Sequence, residues 1–225
     1  MSIWAIIPVK SLADSKQRLA HLLSAPERAR LMQQLLRHVL DVLGEVPAIQ
    51  TTLVISPDPT VHAIAAEYGV LIEPEAESAG LNTAVARGIA RALAGGATGA
   101  VVLPADLPLL TVGDIEALLA PVSGSALRDG GRHDSRSAAR LVICSDSAGD
   151  GTNGLLLMPL RPFTFHYGPG SFRLHVDEAQ RRGTAVYVVR SPGLQLDLDT
   201  EQDWQRVQSL TVNQQFVKDS LYPRS

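Results

Sequence analysis

Apolar positions along this chain follow two alternating periods. Ile3 to Val9 is a short apolar run closed by Pro8 and Lys10, which predicts a buried strand and then a loop through about Ser24. Ser24-Ala25-Pro26-Glu27 has capping-box spacing, and Leu31, Leu35, Val39 and Leu43 follow at helical intervals, so a long amphipathic helix is expected to cover the sheet. Thr52 to Ile55 predicts a strand, Pro57-Asp58-Pro59 a turn, Val61 to Tyr68 a helix and Val70 to Ile72 a further strand. A helix is predicted from Leu81 to about Leu93, ended by Gly95-Gly96. The apolar run Val101 to Leu110 reads as a strand buried on both faces that ends at Pro104, with a helix near Thr111 to Leu119. Leu141 to Cys144, Leu155 to Met158 and Thr184 to Val189 predict three more strands, and a helix capped by Ser171 runs to Arg182 between the last two. Leu194 to Thr200 alternates with period two and predicts a strand, after which Thr200 caps a final helix from Glu201. Strands and helices in alternation imply an α/β fold, with a mostly parallel central sheet and helices on both faces. One domain is expected over residues 1–210, followed by a polar tail, 211–225.

Polar residues that interrupt this pattern fall at strand ends and helix starts, where open α/β sheets bind ligands. Asp106 is a lone carboxylate just past the end of the central strand; the same residue also suits a helix cap or turn. The chain has three lysines, and two of them, Lys10 and Lys16, lie in the loop after the first strand beside Arg18. Fixed cations there suit a polyphosphate, though a solvated loop has the same composition. Asn82, at the start of its helix, fits a cap or a ligand contact. Gly168-Pro169-Gly170-Ser171 places glycines, backbone amides and a hydroxyl at a helix start, which suits an anion as well as a plain serine cap, and His175 stands one turn along. Asp197 and Asp199 share one strand face about 7 Å apart, opposite Leu196 and Leu198. Such hard oxygen donors suit magnesium, and a solvated edge strand is the alternative. Asp150 to Gly154 also reads as a hairpin turn, and 121–138 as a polar flap.

A net charge of -3 with no basic block argues against nucleic acid as a partner. A single cysteine, Cys144 in an apolar run, excludes an intramolecular disulfide and suits a reducing cytoplasm. No apolar run approaches the ~20 residues of a membrane span, and Met1 leads straight into a strand, so a soluble cytoplasmic protein with no membrane partner is expected. Metal-holding carboxylates, cations for a triphosphate and a separate anion pocket together suit in-line nucleotidyl transfer.

Ile7-Pro8-Val9-Lys10 with Lys16-Gln17-Arg18-Leu19, Leu103-Pro104-Ala105-Asp106-Leu107-Pro108, Asp150-Gly151-Thr152-Asn153, Gly168 to Phe172 and Asp197-Leu198-Asp199-Thr200 occur in the order found in a known family. Over roughly Ile3 to Val207 the chain resembles the CofC-type guanylyltransferases of deazaflavin coenzyme F-420 biosynthesis, relatives of the molybdenum-cofactor nucleotidyltransferases. The resemblance implies a single Rossmann-like, MobA-like nucleotide-diphospho-sugar transferase domain. It implies transfer of GMP from GTP to the phosphate of 2-phospho-L-lactate, phosphoenolpyruvate or 3-phosphoglycerate, with release of pyrophosphate and hand-off of the product to the next enzyme. Magnesium would lie at Asp106, Asp197 and Asp199; Lys10, Lys16, Arg18, Asn82 and Asp106 would face the nucleotide, with Asp106, Lys16 and Arg18 catalytic. Thr152, Gly168, Ser171 and His175 would face the acceptor acid, and a homodimer is compatible with the tail. Alternatives are a molybdopterin or sugar-related nucleotidyltransferase of the same fold, or a silent nucleotide-binding module. The absence of glycine between Lys10 and Arg18 counts against the molybdopterin alternative.

Overall fold

The computed structural model describes residues 1–12, 15–74, 80–123 and 139–211; the flap expected at 121–138 and the tail lie almost wholly outside these. Strict alternation builds the centre of the sheet. In β1 (Ile3–Pro8), Ile3, Ala5 and Ile7 pack to one side and Trp4 and Ile6 to the other, all buried. Helix α1 (Ala25–Gly44) then crosses to β2 (Ile49–Ser56), and α2 (Pro59–Glu67) leads to β3 (Leu71–Pro74). The Glu27 carboxylate accepts from the Ser24 backbone N–H at 2.7 Å and its hydroxyl at 2.5 Å, so the predicted capping pair does begin α1. Helix α3 (Leu81–Ala94) precedes β4 (Gly99–Val102), which is followed by α4 (Val112–Leu119). Strands β5 (Arg140–Ser145) and β6 (Thr152–Met158) form a hairpin; α5 (Ser171–Arg181), β7 (Ala185–Val188), α6 (Pro192–Gln195) and α7 (Glu201–Thr211) complete the described chain.

The sheet has seven strands in the order β3-β2-β1-β4-β6-β5-β7. Strand β6 alone runs against its two neighbours, β4 and β5, and the remaining pairings are parallel. One apolar layer lies under α1, α2, α4, α6 and α7, the other under α3 and α5. Helix α3 sits so close that a Cβ on Gly88 would fall 2.6 Å from both Ile6 and Ile55. Parallel pairing sets the ends of β1, β2 and β4 side by side. Because β6 is reversed, its first residues, Thr152 and Asn153, arrive at that same edge.

Two expectations are corrected here. Leu194 to Thr200 is not a strand: Pro192–Gln195 make one helical turn, Leu196 is extended, and the segment through Asp199 continues outside the sheet. Strand β4 already has β1 and β6 on its two sides, so this segment lies across the strand ends, tied by one backbone bond from Leu198 N–H to the Asp106 carbonyl at 3.0 Å. The alternation persists, with Leu196 and Leu198 buried. Nor does Ser171 cap α5: Gly170, at φ 71, precedes the helix and Ser171 is its first residue.

Candidate functional site

The loop after β1 turns inward because Leu19 is buried and the backbone makes a tight helical turn over Gln17–Leu19. Arg28, from the first turns of α1, holds this loop by donating to the carbonyls of Leu23 at 2.8 Å and Ser15 at 3.3 Å. Lys16 adopts a left-handed backbone, φ 54, a conformation a lysine keeps only when its surroundings fix it. Its side chain is 4% exposed, and its ammonium lies 2.5 Å from Asp106 Oδ2 and 3.6 Å from Asp199 Oδ1. Burial pulls the ammonium pKa down, but the charges of Asp106, Asp199 and Asp197 outweigh it and hold it above the ordinary lysine value. Arg18 is exposed and donates to Asp199 Oδ2 at 2.8 Å; Lys10 stands exposed at the lip.

Asp106 does not cap α4. That place is taken by Thr111, whose hydroxyl accepts from the Asp114 N–H while Asp114 accepts from the Thr111 N–H at 2.8 Å. One Asp106 oxygen faces Lys16, and the other, Oδ1, is buried with no hydrogen-bond partner. Asp197 is half-buried and accepts from Asn153 Nδ2 at 3.0 Å. Burial and the neighbouring Asp106 charge raise its pKa, with Asn153 and Lys16 opposing. Asp114 fixes the start of this segment by accepting from the Ser191 hydroxyl and from the Gly193 N–H at 3.2 Å.

The facing wall is polar but uncharged. Ser171 Oγ and Thr152 Oγ1 are 3.1 Å apart, and Thr152 Oγ1 lies 3.1 Å from His175 Nδ1. The helix-start amides expected to hold an anion are already engaged: Gly170 N–H with Asp150 Oδ2 at 2.9 Å, Ser171 N–H with Gly168 O at 3.1 Å and Phe172 N–H with Asp150 O at 3.0 Å. Hydroxyls, and not those amides, are therefore the donors this wall presents. His175 is fully buried behind Thr152, with Nε2 accepting from the His166 N–H at 2.9 Å, so it reaches a ligand only through its neighbours. Asn82 neither caps α3 nor lines the cleft; its amide grips the backbone of Tyr167 on both sides, at 2.7 and 3.1 Å, and so anchors the segment that carries Gly168.

The walls enclose a cleft of about 520 Å³, lined by Lys10, Lys16, Arg18, Asp106, Thr152, Gly168, Ser171, Asp197 and Asp199. Asn153 and Tyr167 also line it, and the sequence reading gave neither a role. Asn153 directly follows Thr152 in a motif the sequence did supply, which also contains Asp150, whereas Arg28 acts on backbone carbonyls and leaves no local pattern. Among the described residues no three carboxylates or imidazoles are grouped closely enough to form a metal cage. The donor set nevertheless suits a hard cation: Asp106 has a buried unpartnered oxygen, and the Asp106 charge acts on the half-buried Asp197 carboxylate, whose pKa stays raised despite Lys16.

A buried lysine and converging carboxylates lie at the carboxyl ends of β1 and β4, on a fold shared with solved structures. A solved structure from Desulfovibrio desulfuricans G20, described as a nucleotide-diphospho-sugar transferase, superposes with a TM-score of 0.75 at 15% identity, covering 99% of this chain and 93% of that one. Glucosyl-3-phosphoglycerate synthase of Mycobacterium tuberculosis, solved with Mg2+ and uridine diphosphate, gives a TM-score of 0.56 at 14% identity, over 84% of this chain and 69% of that one. Residues 3–210 match the family described as "Guanylyl transferase CofC like", and the chain belongs to that family. A phosphoenolpyruvate guanylyltransferase of Rubrobacter xylanophilus is 39% identical over 93% of this chain and 95% of its own. A 3-phospho-D-glycerate guanylyltransferase of Phenylobacterium zucineum is 33% identical over 88% and 86%. No helix among the described residues is long and apolar enough to cross a membrane.

Proposed function

We infer that this guanylyltransferase moves GMP from GTP to the phosphate of a three-carbon phospho-acid, in the cleft between Lys16 and Ser171. The observation that carries the reading is the polarity of that cleft: a buried lysine among three aspartates at one wall, paired neutral hydroxyls at the other. Names borne by the relatives support a phospho-acid acceptor, and phosphoenolpyruvate is the first to be tried, followed by 3-phosphoglycerate and 2-phospho-L-lactate.

Lys16, Lys10 and Arg18 would neutralise the triphosphate, Lys16 from a fixed position and the other two from the exposed lip. Thr152, Gly168 and Ser171 would hold the acid so that one phosphate oxygen faces the α-phosphorus. A new P–O bond forms there as the bond to the β-bridging oxygen breaks, and pyrophosphate leaves with that electron pair. Asp106, Asp197 and Asp199 would hold a magnesium ion, which supplies charge neutralisation at the reacting phosphates. The product is a mixed phosphoanhydride, a reactive species suited to a following transferase of coenzyme F-420 assembly. Pyrophosphate release tests the reading: it should require GTP, divalent cation and one of the three acids together. Release with none of the acids, or equal release with every nucleoside triphosphate, contradicts it.

A further inference from the structure

The hydrogen-bonded chain His166–His175–Thr152–Ser171 ends in the cleft, and its hydrogens can be counted. The His166 backbone N–H points at His175 Nε2 at 2.9 Å, so that nitrogen must carry a lone pair. A neutral ring then bears its proton on Nδ1, which donates to Thr152 Oγ1 at 3.1 Å. The Thr152–Ser171 contact, also 3.1 Å, requires one hydroxyl hydrogen. Two hydroxyls supply two hydrogens, so one remains and can be aimed into the cleft. With the other tautomer, Thr152 would have to donate to the ring and Ser171 to Thr152. Both hydrogens would then be occupied, and the pair would meet an incoming anion with lone pairs.

We propose that His175 is a positioning residue for the acceptor: held in its Nδ1–H tautomer by the His166 amide, it turns the Thr152–Ser171 pair into a net hydrogen-bond donor toward an anionic oxygen of the phospho-acid. The inference rests on the acceptor reading of this wall. It explains why the wall can bind an anion although its helix-start amides are engaged elsewhere. Burial, with His166 beside it, lowers the ring's pKa to about 4, so the ring is neutral at assay pH.

Three variants and one spectrum test this. His175→Asn keeps a donor near the Nδ1 position, whereas His175→Asp places there an acceptor that takes the Thr152 hydrogen, and both variants leave the His166 amide unanswered. Ser171→Ala tests the wall itself. In His175→Asp the KM for phosphoenolpyruvate or 3-phosphoglycerate should rise roughly tenfold or more, the range for one hydrogen bond to a charged group, with the KM for GTP nearly unchanged, and most of that loss should be absent in His175→Asn. If Ser171→Ala raises the KM for the acid while His175→Asp does not, the acceptor reading stands and the role of His175 is overturned. If neither changes it, the acceptor reading itself fails. Equal loss in Asp and Asn variants, or parallel loss toward GTP, assigns His175 to packing and also overturns the proposal. Nitrogen chemical shifts of the wild-type protein labelled with ¹⁵N-histidine keep the idea testable should the aspartate variant not fold. His175 should show a protonated Nδ1 and a bare Nε2 at neutral pH, and the opposite tautomer rejects the proposal.

Discussion

Lys16 bears two costs, burial and a left-handed backbone, and sits among three carboxylates. Both costs are offset by its surroundings. The carboxylates replace the water the ammonium lost, and Arg28 with Leu19 fixes the loop in the turn that aims it. A fixed cation of this kind should act on the nucleotide far more than a surface one. Lys16→Met is expected to lower kcat/KM for GTP by ~10²–10³, the range for removing one preorganised electrostatic contact, whereas Arg173→Ala, at an 87% exposed side chain, should leave it within twofold or so. Comparable losses in the two variants would mean the loop after β1 is not where the triphosphate binds. Asp106, Lys16 and the aspartate pair were legible in the sequence because each stands out against an apolar or lysine-poor background. Asn153 and Arg28 were not, since an amide and a guanidinium that serve neighbouring groups look like ordinary surface residues until the fold brings their partners near.

At the level of elements, the alternation of Leu196 and Leu198 with Asp197 and Asp199 gave the right faces and the wrong element. Period two reports which side chains are buried together; it does not report whether a ladder partner is available. The segment is held instead from its start, where the Asp114 carboxylate joins α4 to Ser191 and Gly193. Two substitutions test that anchorage. Asp114→Ala leaves several buried donors without an acceptor, and should reduce stability by ~2–4 kcal/mol in urea titration and lower kcat by displacing Asp197 and Asp199. A methyl on Gly193 would collide with the Asp114 carboxylate and the Leu109 carbonyl, so Gly193→Ala should reproduce both effects with the carboxylate intact. Normal turnover in a destabilised Gly193→Ala protein would show that the aspartates are placed by something other than this anchor. The start of α1 was easier to read, because Glu27 on Ser24 is a pattern within four consecutive residues, decided locally.

Across the whole molecule, the parallel pairs set the strand ends of β1 and β4 together, and one reversed strand, β6, delivers Thr152 and Asn153 to the same edge. Nothing in the sequence before Thr152 requires that reversal; it follows from the short hairpin joining β5 to β6, which permits only antiparallel neighbours. The reversed strand also links the cleft to the stability of the fold through His175. Its folded pKa, about 4, lies below the ordinary histidine value of 6.5, so the unfolded chain binds the extra proton between those limits. Stability from this residue is full above about pH 6.5, falls as pH drops through that window, and is lost by about pH 4, a total of about 3 kcal/mol. Denaturant midpoints of the wild type and His175→Asn, compared from pH 7 to pH 4, should converge on acidification. A constant gap across that range would place the buried ring's proton elsewhere.

If guanylyl transfer occurs at Asp106, pyrophosphate release by Asp106→Asn with saturating GTP, magnesium and the preferred acid reports it most directly. The substitution removes a charge but almost no volume, so the thermal midpoint should stay close to that of the wild type while turnover falls by ~10²–10³ or more. A folded Asp106→Asn protein that turns over at close to the wild-type rate would contradict the account and place the reaction outside this cleft.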